Sequence, residues 1–193
     1  MKRVCVFCGS SPGAQPVYCE SAREVGTLLA RQGIGLVYGG AQVGVMGAVA
    51  DGVLQAGGEV IGIIPRSLVR KEVAHAGLED LRIVGSMHER KAQMAELADG
   101  FLALPGGCGT FEELFEILTW AQIGIHRKPI ALLNVAHYYD PLLALLDHAV
   151  QERFVHPEHR RLLLTDTDPE RLLDAMRRYS PPIAEKWMDR DET

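Results

Sequence analysis

Leu104-Pro105-Gly106-Gly107-Cys108-Gly109-Thr110-Phe111-Glu112-Glu113 places a glycine-rich turn and two carboxylates at one helix start. Phe101 to Leu104 read as a short buried strand, which Pro105 and the glycines break. Thr110 then opens a run in which Phe111, Leu114, Phe115, Leu118 and Ala121 recur at helical spacing, so a helix is expected over 109–123. Strand, glycine turn and helix in that order present unpaired backbone N–H groups and the positive end of a helix dipole to one spot, which suits a phosphate. An ordinary tight βα turn has the same outline, and the motif alone leaves both readings open. Glu112 and Glu113 favour chemistry, because a plain anion site gains nothing from two more negative charges. A reaction that develops positive charge beside a bound phosphate does gain, and cleavage of a ribosyl bond through an oxocarbenium-like transition state is one. Either glutamate taken singly is also explained as complementing the helix dipole.

Outward from this motif, apolar strand-like runs alternate with amphipathic stretches along nearly the whole chain. Strands are expected at Val4–Phe7, Gly35–Tyr38, Val60–Ile64, Leu81–Val84, Phe101–Leu104 and Ile130–Leu133, with a short seventh at Leu162–Leu164. Helices fill the gaps over 16–32, 44–57, 86–98, 109–123, 139–152 and 169–178, the last with Asp168 as N-cap and Pro169 at its first position. This alternation predicts an α/β fold: a parallel sheet of six or seven strands with helices on both faces, in one domain over 1–180. Residues 181–193, from the Pro181-Pro182 pair onward, read as a flexible tail. In such a sheet ligands sit beyond the carboxyl ends of the strands. The loops there carry Gly9-Ser10-Ser11-Pro12-Gly13, Gly39 through Gly47, and the opening motif, so three glycine-rich turns are expected to approach a ligand closely.

Composition narrows the function classes. The chain has 193 residues, is 47% hydrophobic and 23% charged, and carries a formal charge of −5, which argues against binding a nucleic-acid polymer. Six of its 20 Lys and Arg residues nevertheless fall between Arg66 and Lys91, the pattern of a local anion site. No apolar stretch approaches a membrane span, and Met1 to Phe7 enter a strand at once rather than a signal peptide, so a cytoplasmic protein is expected. Cys5 and Cys8 spell C-x-x-C inside a strand, where residues three apart point to opposite faces, whereas the redox motif needs a helix start. His156 and His159 have H-x-x-H spacing but no third ligand pattern beside them, so no metal site is expected. Gly40 to Gly47 has the wrong spacing and position for a dinucleotide fingerprint.

Ser86-Met87-His88-Glu89-Arg90-Lys91 opens a helix at the same rim. Adjacent residues on a helix diverge by about 100°, so Arg90 and Lys91 cannot both face one group; one of them is expected to reach inward, and a solvated surface pair explains them equally well when this stretch is read alone. Arginine suits bidentate recognition of a phosphate or sugar, and lysine suits a point charge.

Together, Gly39-Gly40 with Gly44-Val45-Met46-Gly47, Met87-His88-Glu89-Arg90-Lys91, and the P-G-G-x-G-T-x-x-E element from Pro105 to Glu113 closely resemble the Lonely Guy family over residues 3 to 179. Its members are cytokinin riboside 5′-monophosphate phosphoribohydrolases, formerly mislabelled as lysine decarboxylases. The resemblance implies a Rossmann-like α/β sandwich and a homodimer with the active site near the subunit interface. It also implies a small-molecule nucleoside 5′-monophosphate substrate and no metal or organic cofactor. Arg90 and Glu113 match the family's catalytic pair. Lys91, Gly106, Gly107, Gly109, Thr110, Glu112, Glu72 and Thr119 match substrate-binding positions, and Cys108 fills the motif's variable position.

Three other readings remain at this point. A lysine decarboxylase needs pyridoxal phosphate, and no lysine context here supports a Schiff base. A molybdenum-cofactor carrier uses a similar phosphate turn without chemistry, but has no reason to keep both the arginine and the glutamate. A general purine nucleoside 5′-monophosphate hydrolase acting on AMP differs only in the group on N6 of adenine.

Overall fold

The computed structural model describes residues 1–69 and 74–181. Seven strands form one parallel sheet: β1 Arg3–Phe7, β2 Gly35–Tyr38, β3 Val60–Pro65, β4 Asp80–Val84, β5 Gly100–Ala103, β6 Ile130–Leu133 and β7 Leu163–Asp166. Their order is β4-β3-β2-β1-β5-β6-β7. The strands of the sheet centre are buried along their length, as expected where helices cover both faces. The expected strands all form, the seventh two residues longer at its C-terminal end. Residues 182–193 of the expected tail lie outside the described residues.

Side chains alternate across β1 and set the two layers. Val4, Val6 and Cys8 join the cluster beneath α1 (Val17–Arg31), α2 (Gly44–Gln55) and α7 (Pro169–Arg177). Cys5 and Phe7 join the cluster beneath α3 (Met87–Leu97), α4 (Cys108–Gln122) and α5 (Asp140–Gln151). Cys5 and Cys8 therefore face opposite layers. Burial, reinforced by the Glu113 charge, raises both thiols above the ordinary thiol range, which opposes the thiolate a redox motif needs.

The connections run one way from β1 through β4 and the other way from β5 through β7. The reversal falls between β1 and β5, and there the loops after the two strands part to leave a crevice. Asp168 caps α7 as expected, its carboxylate accepting from Arg171 N–H at 2.9 Å, with Pro169 next. Two elements were not anticipated: a 3₁₀ turn at Val135–His137 and α6, Pro157–Arg160.

The helix expected over 109–123 forms as α4, but its apolar stripe and its buried face do not coincide. Its buried residues are Thr110, Glu113, Leu114, Ile117 and Leu118, whereas Phe111, Phe115 and Ala121 are half-buried. The inward face is turned by somewhat less than one residue's ~100° from the apolar stripe. Glu113 lies at one edge of that buried face and Thr110 near its middle.

Candidate active site

The crevice is a cleft of about 290 Å³, lined by Gly107, Cys108, Gly109, Thr110, Glu112 and Glu113 from the opening motif, by Arg90, Met87 and Met94 from α3, and by Gly9, Ser10, Gly39, Met46 and Leu68 across from them. That volume lies at the lower end of the ~300–1,000 Å³ of small-molecule sites and suits a mononucleotide better than a dinucleotide.

Each wall follows from its local sequence. Gly107 is the N-cap of α4, and Phe111 N–H to Gly107 C=O at 3.1 Å is the helix's first bond. The N–H groups of Cys108, Gly109 and Thr110 precede it and have no carbonyl within the helix to donate to. The helix starts one residue before the expected position, which adds Cys108 N–H to this row. On α3, Ser86 Oγ accepts from Glu89 N–H at 3.1 Å while Glu89 Oε2 accepts from Gly85 N–H at 2.8 Å. Glu89 is thus a cap, and it sets where α3 begins.

Arg90, in the next turn, is 5% exposed and Glu113 8%. Arg90 Nη2 lies 3.9 Å from Glu113 Oε1, and Nη1 lies 3.8 Å from Met87 Sδ. Arg90 Nε is buried with no hydrogen-bond partner. Leaving such a donor unmet costs about 1–3 kcal/mol, and more on a charged group.

Lys91 turns the other way. Its Nζ donates to Glu112 and Glu116 at 2.5 and 2.9 Å, tying α3 to the first turns of α4. Burial works against the ammonium, but the two carboxylates outweigh it and hold its pKa above the ordinary lysine value. One of the adjacent cations does reach inward, and it is Arg90.

The remaining expected site residues divide. Gly107, Gly109, Thr110 and Glu112 line the cleft. Gly106 lies behind the wall: a Cβ there would sit 2.1 Å from Thr110 Oγ1 and 2.7 Å from Gly9 N. Thr119 is exposed, its hydroxyl donating to Phe115 C=O at 2.7 Å, roughly 13 Å along α4 from Thr110. Glu72 lies outside the described residues.

The expectation that three glycine turns approach a ligand is also narrowed. All three loops line the cleft, through Gly9, Gly39 and Gly107 with Gly109, but a Cβ at Gly44 would strike Ser10 of the neighbouring loop and one at Gly47 the Gln42 carbonyl of its own, so these two glycines serve close backbone packing. A Cβ at Gly107 or Gly109 meets nothing within 4 Å. Gly39 has a use the sequence did not reveal: a Cβ there would lie 2.1 Å from Arg90 Nη2 and 2.9 Å from Met46 Sδ, so its absence makes room for the guanidinium. Met46, Met87, Met94 and Leu68 were not named as lining residues, because nothing in the local sequence marks an apolar side chain as facing a cleft.

Residues 46–176 match the family described as "Possible lysine decarboxylase". The chain is 50% identical over 181 residues, 94% of its length and 74% of the relative's, to a probable cytokinin riboside 5′-monophosphate phosphoribohydrolase of rice, Oryza sativa subsp. japonica. It is 47% identical over 184 residues, 95% of its length and 85% of the relative's, to the Arabidopsis thaliana cytokinin riboside 5′-monophosphate phosphoribohydrolase LOG7. The chain belongs to the Lonely Guy family. Among the described residues that line the cleft there is no lysine.

Solved structures share the fold. The molybdenum cofactor binding protein of Rippkaea orientalis superposes with a TM-score of 0.68 at 23% identity, covering 92% of this chain and 96% of that one. The molybdenum-cofactor carrier protein of Chlamydomonas reinhardtii gives a TM-score of 0.68 at 21% identity, covering 91% and 95%. Among the described residues no group of three His, Cys, Asp or Glu side chains could hold a metal ion, and no helix is long and apolar enough to cross a membrane.

Proposed function

We propose that this protein hydrolyses the N-glycosidic bond of cytokinin riboside 5′-monophosphates, giving the free base and ribose 5-phosphate. The observation that carries the reading is the buried Arg90–Glu113 pair set beside the unbonded N–H row of α4, a cation and an anion that a purely phosphate-binding turn does not need. The 5′-phosphate rests on the N–H groups of the Gly107 to Thr110 turn at the positive end of the helix dipole. That anchors the ribose over the helix start, with C1′ toward Glu113. As the bond from C1′ to the base nitrogen breaks, positive charge grows on the sugar, and Glu113 stabilises it or takes a proton from the attacking water. Arg90 orients the ribose or steadies the leaving base. The base leaves with its bonding electron pair and a proton, and water supplies the hydroxyl now on C1′. Neither a metal nor an organic cofactor enters this scheme.

Incubation with AMP and with isopentenyladenosine 5′-monophosphate, followed by assay of free base and ribose 5-phosphate, tests the reading. Release of base from the modified nucleotide supports it. Release from AMP alone moves the assignment to a general nucleosidase, and release from neither moves it to a carrier.

Two substitutions probe the arginine. Arg90→Lys keeps the charge and loses the planar fork, and turnover should fall by more than about tenfold. Gly39→Ala places a methyl against Arg90 Nη2, so it should lower turnover to a similar extent by displacing the guanidinium. Steady-state base release checks both, and unchanged rates would place Arg90 outside the reaction.

The reading extends to a cytoplasmic homodimer. In its support, Ile123 and Ile125 just past α4 are 68% and 62% exposed, and Phe111, Phe115 and Trp120 are only half-covered. Sedimentation at micromolar concentration should give about twice the chain mass of 21.2 kDa, and a monomer would contradict this part of the proposal.

A further inference from the structure

We infer that Tyr138 and Tyr139 are positioning residues that hold the glycine turn from behind and so aim the phosphate-binding N–H of Gly107. The inference rests on the phosphate-cradle reading above and assigns a role to a loop outside the motif. Tyr139 donates its hydroxyl to Leu104 C=O at 2.7 Å, and Tyr138 donates to Gly106 C=O at 2.5 Å. Between them, Pro105 C=O accepts from Gly9 N–H at 3.1 Å. Three successive carbonyls are thus held by donors from other parts of the chain. A trans peptide is flat, and its C=O and N–H point in opposite directions. Holding Gly106 C=O on Tyr138 therefore turns Gly107 N–H the other way, and Gly107 lines the cleft, where a Cβ on it would meet only open space.

The loop that carries the tyrosines is constrained at some cost. Ala136 and His137 both have positive φ, 48° and 61°, in the region non-glycine residues avoid. Asn134, 5% exposed, closes the loop: its Oδ1 accepts from Tyr139 N–H at 2.8 Å and its Nδ2 donates to Asp140 Oδ1 at 2.6 Å. The Tyr138 ring is set edge-on against Tyr139 and Tyr18, with centroids 4.9 and 5.8 Å apart. The ring packing fixes where each hydroxyl ends, and the strained backbone is what brings two adjacent tyrosines to two carbonyls of one turn.

Tyr138→Phe removes one oxygen and keeps the ring contacts. Affinity for ribose 5-phosphate and for orthophosphate, measured by calorimetry, should weaken at least about tenfold, while affinity for the unphosphorylated riboside stays within about twofold. A structural role alone would weaken both together or neither, and either result overturns the inference. If the unsubstituted protein does not bind ribose 5-phosphate, the cradle reading fails and this inference falls with it. If it binds and Tyr138→Phe binds equally well, this inference alone fails. A measurement on the unsubstituted protein covers a variant that does not fold: ribose 5-phosphate should shift the Gly107 amide resonance, and an unmoved Gly107 amide in a protein that binds the ligand overturns the assignment.

Discussion

Replacing Glu113 by Gln should lower turnover by at least about a hundredfold while nucleotide affinity changes little. The substitution keeps shape and hydrogen-bonding reach but removes the negative charge that the proposed mechanism sets beside C1′. That charge matters only as the sugar becomes cationic, so its loss falls on kcat rather than KM. A hundredfold corresponds to about 2.7 kcal/mol of transition-state stabilisation, within the range of one preorganised electrostatic group in a water-poor site. Glu113 is buried beside Arg90, which places it in such a site. The thermal midpoint of the variant, measured alongside, separates a lost charge from a lost fold. Near-normal turnover in a folded variant would remove Glu113 from the mechanism.

The 5′-phosphate should account for a still larger effect. If the α4 N-terminus holds it through several charge-assisted bonds of ~1.5–3 kcal/mol each, the unphosphorylated riboside should lose at least about a thousandfold in kcat/KM. Part of that loss should persist at saturation, because binding energy at the phosphate positions the glycosidic bond at the other end of the ribose. Two glycine substitutions locate the effect. At Gly107 a Cβ meets nothing within 4 Å and φ is −99°, so Gly107→Val should fold normally and abolish nucleotide binding by filling the cradle. At Gly106 a Cβ would strike Thr110 Oγ1, so Gly106→Ala should instead lower the unfolding temperature. Assays of the riboside and its 5′-monophosphate at matched concentrations, with melting curves for both variants, decide the matter. Equal rates on the two substrates would show that the turn is not a phosphate cradle.

The layered sheet was legible because it rests on local patterns. Val4–Phe7, Gly35–Tyr38 and Ile130–Leu133 are short apolar runs bounded by breakers, and any such run alternating with amphipathic helices must bury itself in a parallel sheet. The Asp168 cap and the glycine turn are likewise local signals. The 3₁₀ turn at Val135–His137 left none, since positive φ at Ala136 and His137 is forced by neighbours rather than favoured by those residue types.

By itself, then, the sequence determined the α/β layers, the glycine turn at a helix start and the family, and the family resemblance put Arg90 and Glu113 forward for the site. Helical spacing said only that one of two adjacent cations turns inward, and the tertiary structure shows it to be Arg90, the one the resemblance put forward. Arg90 and Glu113 sit on different helices, and their approach depends on the strand order reversing between β1 and β5 and on how far each helix is rotated about its axis. Lys91 is fixed elsewhere by Glu112 and Glu116, and Arg90 by the space that Gly39 leaves open. Helical periodicity reports which residues share a face but not what that face meets, because the contact is made by packing across the sheet and its energy belongs to partners distant in the chain.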